Sequence, residues 1–82
     1  MNVFDLLQDK YILFRNTIYT DIYWCESACG YTDYIEAAGV YSAEDLKYYG
    51  LKVLQYHEVK SGKHTKYTHY AMTVKDAIQL LK

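Results

Sequence analysis

Eleven of the 82 residues are tyrosine, and a chain this short has few other large side chains from which to build a core. A domain of this size buries only about two thirds of its unfolded surface, while ordering the chain costs roughly 1.5 kcal/mol per residue. Every large side chain must therefore contribute area. Each tyrosine also carries a hydroxyl that needs water or a partner, so part of the tyrosine complement belongs at the surface. There is no proline, and no serine-rich or low-complexity linker divides the chain, so residues 1–82 are expected to form a single small domain.

The longest unbroken apolar runs, Tyr11 to Phe14 and Ile22 to Cys25, are four residues each. A bilayer-crossing helix needs about 20. No basic residue precedes Lys10, Asp5 and Asp9 interrupt the first apolar stretch, and no small-residue cleavage site follows. The expectation is a cytoplasmic protein without membrane association or secretory signal. Cys25 and Cys29 are too few for a disulfide framework and are expected to stay thiols in that compartment. Charge is unevenly distributed. Residues 1–45 hold eight carboxylates against Lys10 and Arg15, a net of -6, and residues 46–82 hold seven lysines against Glu58 and Asp76, a net of +5. If the halves keep to separate faces, the molecule is an electrostatic dipole despite its formal net charge of -1.

Residues 11–15 and 18–25 are rich in β-branched and aromatic side chains, and Asn16-Thr17 between them predicts a turn, hence an antiparallel hairpin. In its second arm Ile18, Thr20, Ile22 and Trp24 share one face, expected to be the core side, and Tyr19, Asp21, Tyr23 and Cys25 share the other. Residues 1–8 suit a helical turn or a strand equally. Ser42-Ala-Glu-Asp45 has the pattern of a capping box and predicts a short helix to Tyr49, with Gly50 ending it. Residues 51–60 and 63–72 flank Ser61-Gly62 and predict a second hairpin, with Lys60 opposite Lys63, Tyr56 opposite Tyr67 and Val53 opposite Tyr70. Thr73-Val-Lys-Asp76 repeats the cap pattern and opens a C-terminal helix with Val74, Ala77, Ile78 and Leu81 as its apolar stripe. The expected fold class is α+β, with antiparallel β-hairpins forming a small sheet and two short helices packed on it. Trp24, Phe14, Val53, Met72, Ile78 and Leu81 are the expected core.

Trp24, Gly30-Tyr31-Thr32-Asp33, Ile35, Ala38-Gly39-Val40-Tyr41-Ser42 and Glu44 together form a recognisable pattern. Over about residues 11–49 the chain resembles a group of small phage and prophage proteins that share a tryptophan, a Gly-Tyr-Thr element, an Ala-Gly step and a Ser/Thr-capped acidic helix. That group brings no assigned activity. Asp45-Leu46 stands where Glu-Ala is expected, and residues 51–82 run past the usual ending. The resemblance implies a phage-borne accessory factor acting on a host protein. In size, composition and implied origin the chain also resembles anti-CRISPR proteins.

Four chemistries compete with simple binding. Zinc could use Cys25 and Cys29 with His57, His64 or His69, but the histidines spread along the second hairpin, so neither metal nor cofactor is expected. A Cys/His nucleophile would need an orienting group and an oxyanion hole that no local signature supplies, so no catalytic residue is assigned and the protein is expected not to be an enzyme. Nucleic-acid binding could use Lys52, Lys60, Lys63 and Lys66 with Tyr56, Tyr67 and Tyr70 in the hairpin over 52–70; one arginine and a pI near 6.2 argue against it. Asp21, Glu26, Asp33, Glu36, Glu44 and Asp45 could mimic nucleic acid, although six carboxylates over such a stretch are ordinary for a solvated surface. The resulting expectation is a phage or mobile-element protein that binds and inhibits a host defence protein stoichiometrically, with a CRISPR effector complex as one candidate. The interface would be Tyr19, Tyr23, Tyr56 and Tyr67 with Lys60, Lys63 and Lys66. A nucleic-acid-binding accessory role for the 52–70 hairpin is the alternative. Chelator should leave folding unchanged, checked as superimposable circular dichroism melts with and without EDTA, because a structural zinc in so short a chain would carry its folding free energy.

Overall fold

The computed structural model describes residues 9–17 and 20–82. Residues 1–8, for which helix and strand were equally suited, lie outside the described residues, as do Ile18 and Tyr19. Strand β1 (Lys10–Asn16) carries the apolar run Tyr11-Ile-Leu-Phe14 and forms the middle of the sheet. Along one edge it pairs antiparallel with β6 (His69–Thr73), from Tyr11 opposite Thr73 to Arg15 opposite His69. Along the other edge it takes two partners in succession. The strand β2 (Asp21–Trp24) pairs with Phe14 to Asn16, and β4 (Tyr41–Ser42) pairs with Lys10 and Tyr11. Beyond β2 lies β3 (Tyr31–Thr32), and beside β6 lies β5 (Lys52–Val53), the latter parallel. Among the described residues the chain is thus an α+β domain with a six-stranded, mostly antiparallel sheet and three short helices packed on it.

The expected first hairpin is present with a longer link. Asn16 is still paired, opposite Asp21, and the Thr17 N–H donates to the Thr20 carbonyl at 2.8 Å, so pairing runs past the Asn16-Thr17 position expected for the turn. Two of the three helices start where side-chain caps predicted them. Helix α1 (Ala43–Tyr49) opens on the Ser42 hydroxyl, which accepts from the Asp45 N–H at 3.2 Å, while Asp45 Oδ2 accepts from the Ser42 N–H at 3.0 Å. Gly50, at φ +67°, ends it in the left-handed region. The last helix, α3 (Val74–Leu80), opens on Thr73 Oγ1, which accepts from the Asp76 N–H at 3.1 Å.

The second hairpin does not form. Residues Tyr56–Ser61 are helix α2, Gly62 at φ +67° terminates that helix, and β5 runs parallel to β6 with Lys52 opposite Tyr70 and Val53 opposite Ala71. Parallel strands need a crossover, and α2 with the loop after it supplies one. Locally the Gln55 N–H donates to the Glu58 carboxylate at 3.0 Å, satisfying an orphan donor at the helix start. The expected register would have set Lys60 against Lys63 and His57 against Lys66, pairs of like charge or partial charge that weaken a ladder. In the helical arrangement Leu54 and Val59 reach the core instead.

The centre of the sheet is buried on both faces, which is why β1 reads as an unbroken apolar run and not as an alternation. Ile12 and Phe14 pack with Tyr70, Met72, Leu54, Val59, Val74 and Ala77 beneath α2 and α3. Leu13 and Ala71 point the other way and pack with Tyr41 and Leu46 beneath α1. The expected core is realised in part: Phe14 and Met72 are fully buried, and Trp24, Val53 and Ile78 are half-buried. Leu81 is 53% exposed because α3 ends at Leu80. Phe14→Ala should cost about 3–5 kcal/mol and Leu81→Ala no more than about 0.5 kcal/mol, a contrast that paired thermal melts would read directly.

Candidate functional site

Helix α1 covers only part of its face of the sheet. Pairing places Arg15, Ile22, Trp24, Tyr31 and His69 on that same face, toward the β2–β3 side. Trp24 is the hub of this region. Its ring stands nearly perpendicular to those of Tyr31, Tyr41 and His69 at centroid distances of 6.4, 6.1 and 5.3 Å, and it meets Tyr49 at 5.0 Å. Edge-to-face arrangements of this kind suit the aromatic quadrupole and hold the rings in fixed orientations. Between them opens a pocket of about 260 Å³ lined by Trp24, Tyr31, Tyr49, Ala28 and Gly30. Outside it Tyr48 packs against Tyr49 and is 83% exposed, and Tyr31 is 50% exposed.

The pocket rim is a strained loop that is held in place. Ser27 and Ala28 lie in the left-handed region at φ +57° and +55°, followed by Gly30 at +118°. For residues other than glycine this conformation costs of order 1 kcal/mol each and persists only when the surroundings enforce it. Tyr41 provides that enforcement: its hydroxyl accepts from the Ala28 N–H at 2.9 Å and donates to the Cys25 carbonyl. Burial raises the Tyr41 hydroxyl above its ordinary pKa, so it stays protonated and able to donate. Gly39 closes the loop from behind, where an added Cβ would sit 2.7 Å from the Glu26 backbone. Its role is close approach, whereas Gly30 supplies the positive φ.

Polar groups beneath the pocket are also arranged. Trp24 Nε1–H donates to His69 Nδ1 at 3.1 Å, and the Arg15 guanidinium lies over the Tyr31 ring at 5.2 Å. The Nε of Arg15 is buried without a hydrogen-bond partner.

The sequence-predicted interface residues are divided among other places. Tyr19 lies outside the described residues. Tyr23, Tyr56 and Lys60 do come together, on the opposite face, in a groove of about 390 Å³ that also includes Asp21, Ile35, Leu80 and Lys82. Tyr23 is half-buried against Phe14, and burial, followed by Asp21 and Glu36, raises its hydroxyl pKa. Tyr56 is half-buried with Lys60 Nζ over its ring at 5.6 Å. Tyr67, expected opposite Tyr56, is exposed in the loop after α2 at φ +65°, and Lys63 and Lys66 are exposed in the same loop. His64 is a core residue: its side chain is 3% exposed, Nε2 contacts Asp21 Oδ1 at 2.8 Å, and its ring packs edge-on against Phe14. Asp45 is committed to the α1 cap and Asp21 to His64, so two of the six carboxylates considered for nucleic-acid mimicry are engaged within the fold. Cys25 and Cys29 are free thiols, and among the described residues no three His, Cys, Asp or Glu side chains gather as a metal site.

Tyr31, Tyr48 and Tyr49 were missed as surface residues. Tyr48-Tyr49 at a helix end was the available signal, since adjacent positions on a helix cannot both face the core. No family model, curated protein or solved structure matches this chain.

The Trp24 to His69 hydrogen bond requires an unprotonated Nδ1. Burial and then the Arg15 charge lower the His69 pKa below its ordinary 6.5. As pH falls through 6.5 the unfolded chain takes up this proton before the folded one does. The stability contributed by neutral His69 is therefore complete above about 6.5 and is lost progressively below it. Trp24 is the sole tryptophan, so its emission should change in a titration step centred below pH 6.5. The step should vanish in His69→Gln, whose amide oxygen can still accept from the indole.

Proposed function

We propose that the protein is a non-catalytic binding domain that recognises another protein through the aromatic surface around Trp24, and that it serves a phage or mobile element by occupying a host defence protein. The observation that carries the binding role is the group of exposed rings, Tyr31, Tyr48 and Tyr49, around a tryptophan fixed by hydrogen bonding and edge-on contacts. Large amphipathic rings held rigid before contact lose little entropy on association, and Tyr and Trp are enriched among the residues that dominate binding energy. The origin rests on the likeness of residues 11–49 to phage and prophage proteins, and the class of target on the likeness to anti-CRISPR proteins in size, composition and implied origin, with a CRISPR effector complex as one target of this class. Inhibition would be stoichiometric, by coverage of a working surface.

The nucleic-acid alternative required lysines and tyrosines interleaved on a hairpin over 52–70. With that hairpin absent, Lys60 lies over Tyr56 and Tyr67 stands in a separate loop, so the stacking row is not assembled. Affinity capture from bacterial lysate, read by mass spectrometry, tests the proposal. Tyr31→Ala combined with Tyr48→Ala should remove about 1–4 kcal/mol of partner affinity with little change in melting temperature, while reversing Lys60, Lys63 and Lys66 to Glu should leave capture intact. Enrichment of nucleic acid in place of protein, abolished by the lysine reversals, would overturn it.

A further inference from the structure

We propose that the Trp24 pocket takes a cationic side chain, an arginine or lysine, presented by a basic surface of the protein partner. This inference rests on the protein-binding reading and specifies the partner's chemistry. Three of the five lining residues are Trp24, Tyr31 and Tyr49, whose ring faces carry negative potential and attract guanidinium or ammonium groups. The indole N–H, the one side-chain nitrogen donor of the lining, is already committed to His69, so it is not available to an incoming anion.

The charge around the pocket points the same way. From residue 16 to residue 46 the sequence has six carboxylates and no lysine or arginine, and four of the five lining residues come from this stretch. Asp21 and Asp45 are engaged inside the fold, whereas Glu26, Asp33 and Glu44 are exposed: on the rim loop itself, directly after β3, and on the helix that carries Tyr49. Lys47 is exposed on the helix that carries Tyr49, and Arg15 lies over the Tyr31 ring. Arg15 is half-buried, and its seat over Tyr31 shows that a guanidinium is accommodated by this ring in this setting. With Arg15 seated on its ring, the three exposed carboxylates of the surrounding elements outnumber the exposed Lys47, and the field across the opening favours a basic visitor.

The test uses the whole protein, with Trp24 emission as the readout and short oligo-arginine, oligo-lysine and oligo-glutamate peptides and a single-stranded oligonucleotide as probes. Oligo-arginine should give a saturable, salt-sensitive change, with oligo-lysine weaker and oligo-glutamate and the oligonucleotide silent. Tyr31→Leu and Tyr49→Leu should each weaken oligo-arginine about three- to tenfold, the range expected for loss of a cation–π contact, and circular dichroism would confirm that these variants remain folded. Glu26→Lys should weaken it further without touching a ring. Absence of saturation, equal binding in both leucine variants, or preference for oligo-glutamate or the oligonucleotide would overturn the inference. A captured protein whose binding depends on Tyr31 and Tyr48 but which presents an acidic contact surface would sink the inference and leave the protein-binding reading standing. Oligo-arginine binding that depends on the rings, with no protein captured, would do the reverse.

Discussion

Strand β1 has no free edge along most of its length and no free face. Tyr11 to Arg15 are matched to β6 on one side, β2 and β4 divide the other, and Ile12, Leu13 and Phe14 are all buried. Both hydrophobic clusters are built on this one strand, with Ile12 and Phe14 in one and Leu13 in the other. A small domain gains from such an arrangement because consecutive residues, not alternate ones, contribute apolar area. The helices depend on it in turn: α1 and α3, at seven residues each, and α2, at six, are all too short to hold together as isolated helices.

The division of β1's second edge between β2 and β4 also creates the aromatic pocket. The chain turns away from β1 at Trp24 and comes back to it at Tyr41, and the Gly39 N–H donates to the Trp24 carbonyl at 2.9 Å, holding the two ends of the excursion together. The excursion returns as β3 and two single-turn segments, Glu26–Ala28 and Ile35–Ala37, which put Tyr31 beside Trp24 and Ala28 within reach of the Tyr41 hydroxyl. Fold and pocket therefore share their supports, and Tyr41 belongs to both: buried under α1 with its ring, and pinning the rim with its oxygen.

What was legible in the sequence was what a few neighbouring residues decide. Ser42 with Asp45, Thr73 with Asp76 and Gly50 announce helix boundaries through bonds three residues long, and all three behave accordingly. The stretch from Tyr56 to Val59 was misread because Tyr and Val suit a strand, while the helix there is decided by a weaker Gln55–Glu58 cap and by Leu54 and Val59 finding the core. The parallel pairing of β5 with β6 is a tertiary fact with no local signature. The site was less legible than the fold for the same reason. Trp24 was singled out, but whether Tyr31 and Tyr49 are buried or exposed depends on how far α1 extends over the sheet, which no spacing encodes. Tyr23, Tyr56 and Lys60 did come together, though through the packing of α2 near β2 and not through cross-strand pairing.

The long-range partner of β1 sets an order on synthesis. Ile12 cannot complete its pairing until Met72 has left the ribosome, and Leu13 must wait for Ala71. During that interval the strand that carries Ile12, Leu13 and Phe14 has only the β2 hairpin and β4 to shelter it, with its other edge exposed. A chain in this state presents an unpaired strand edge, the feature through which one copy can pair with another.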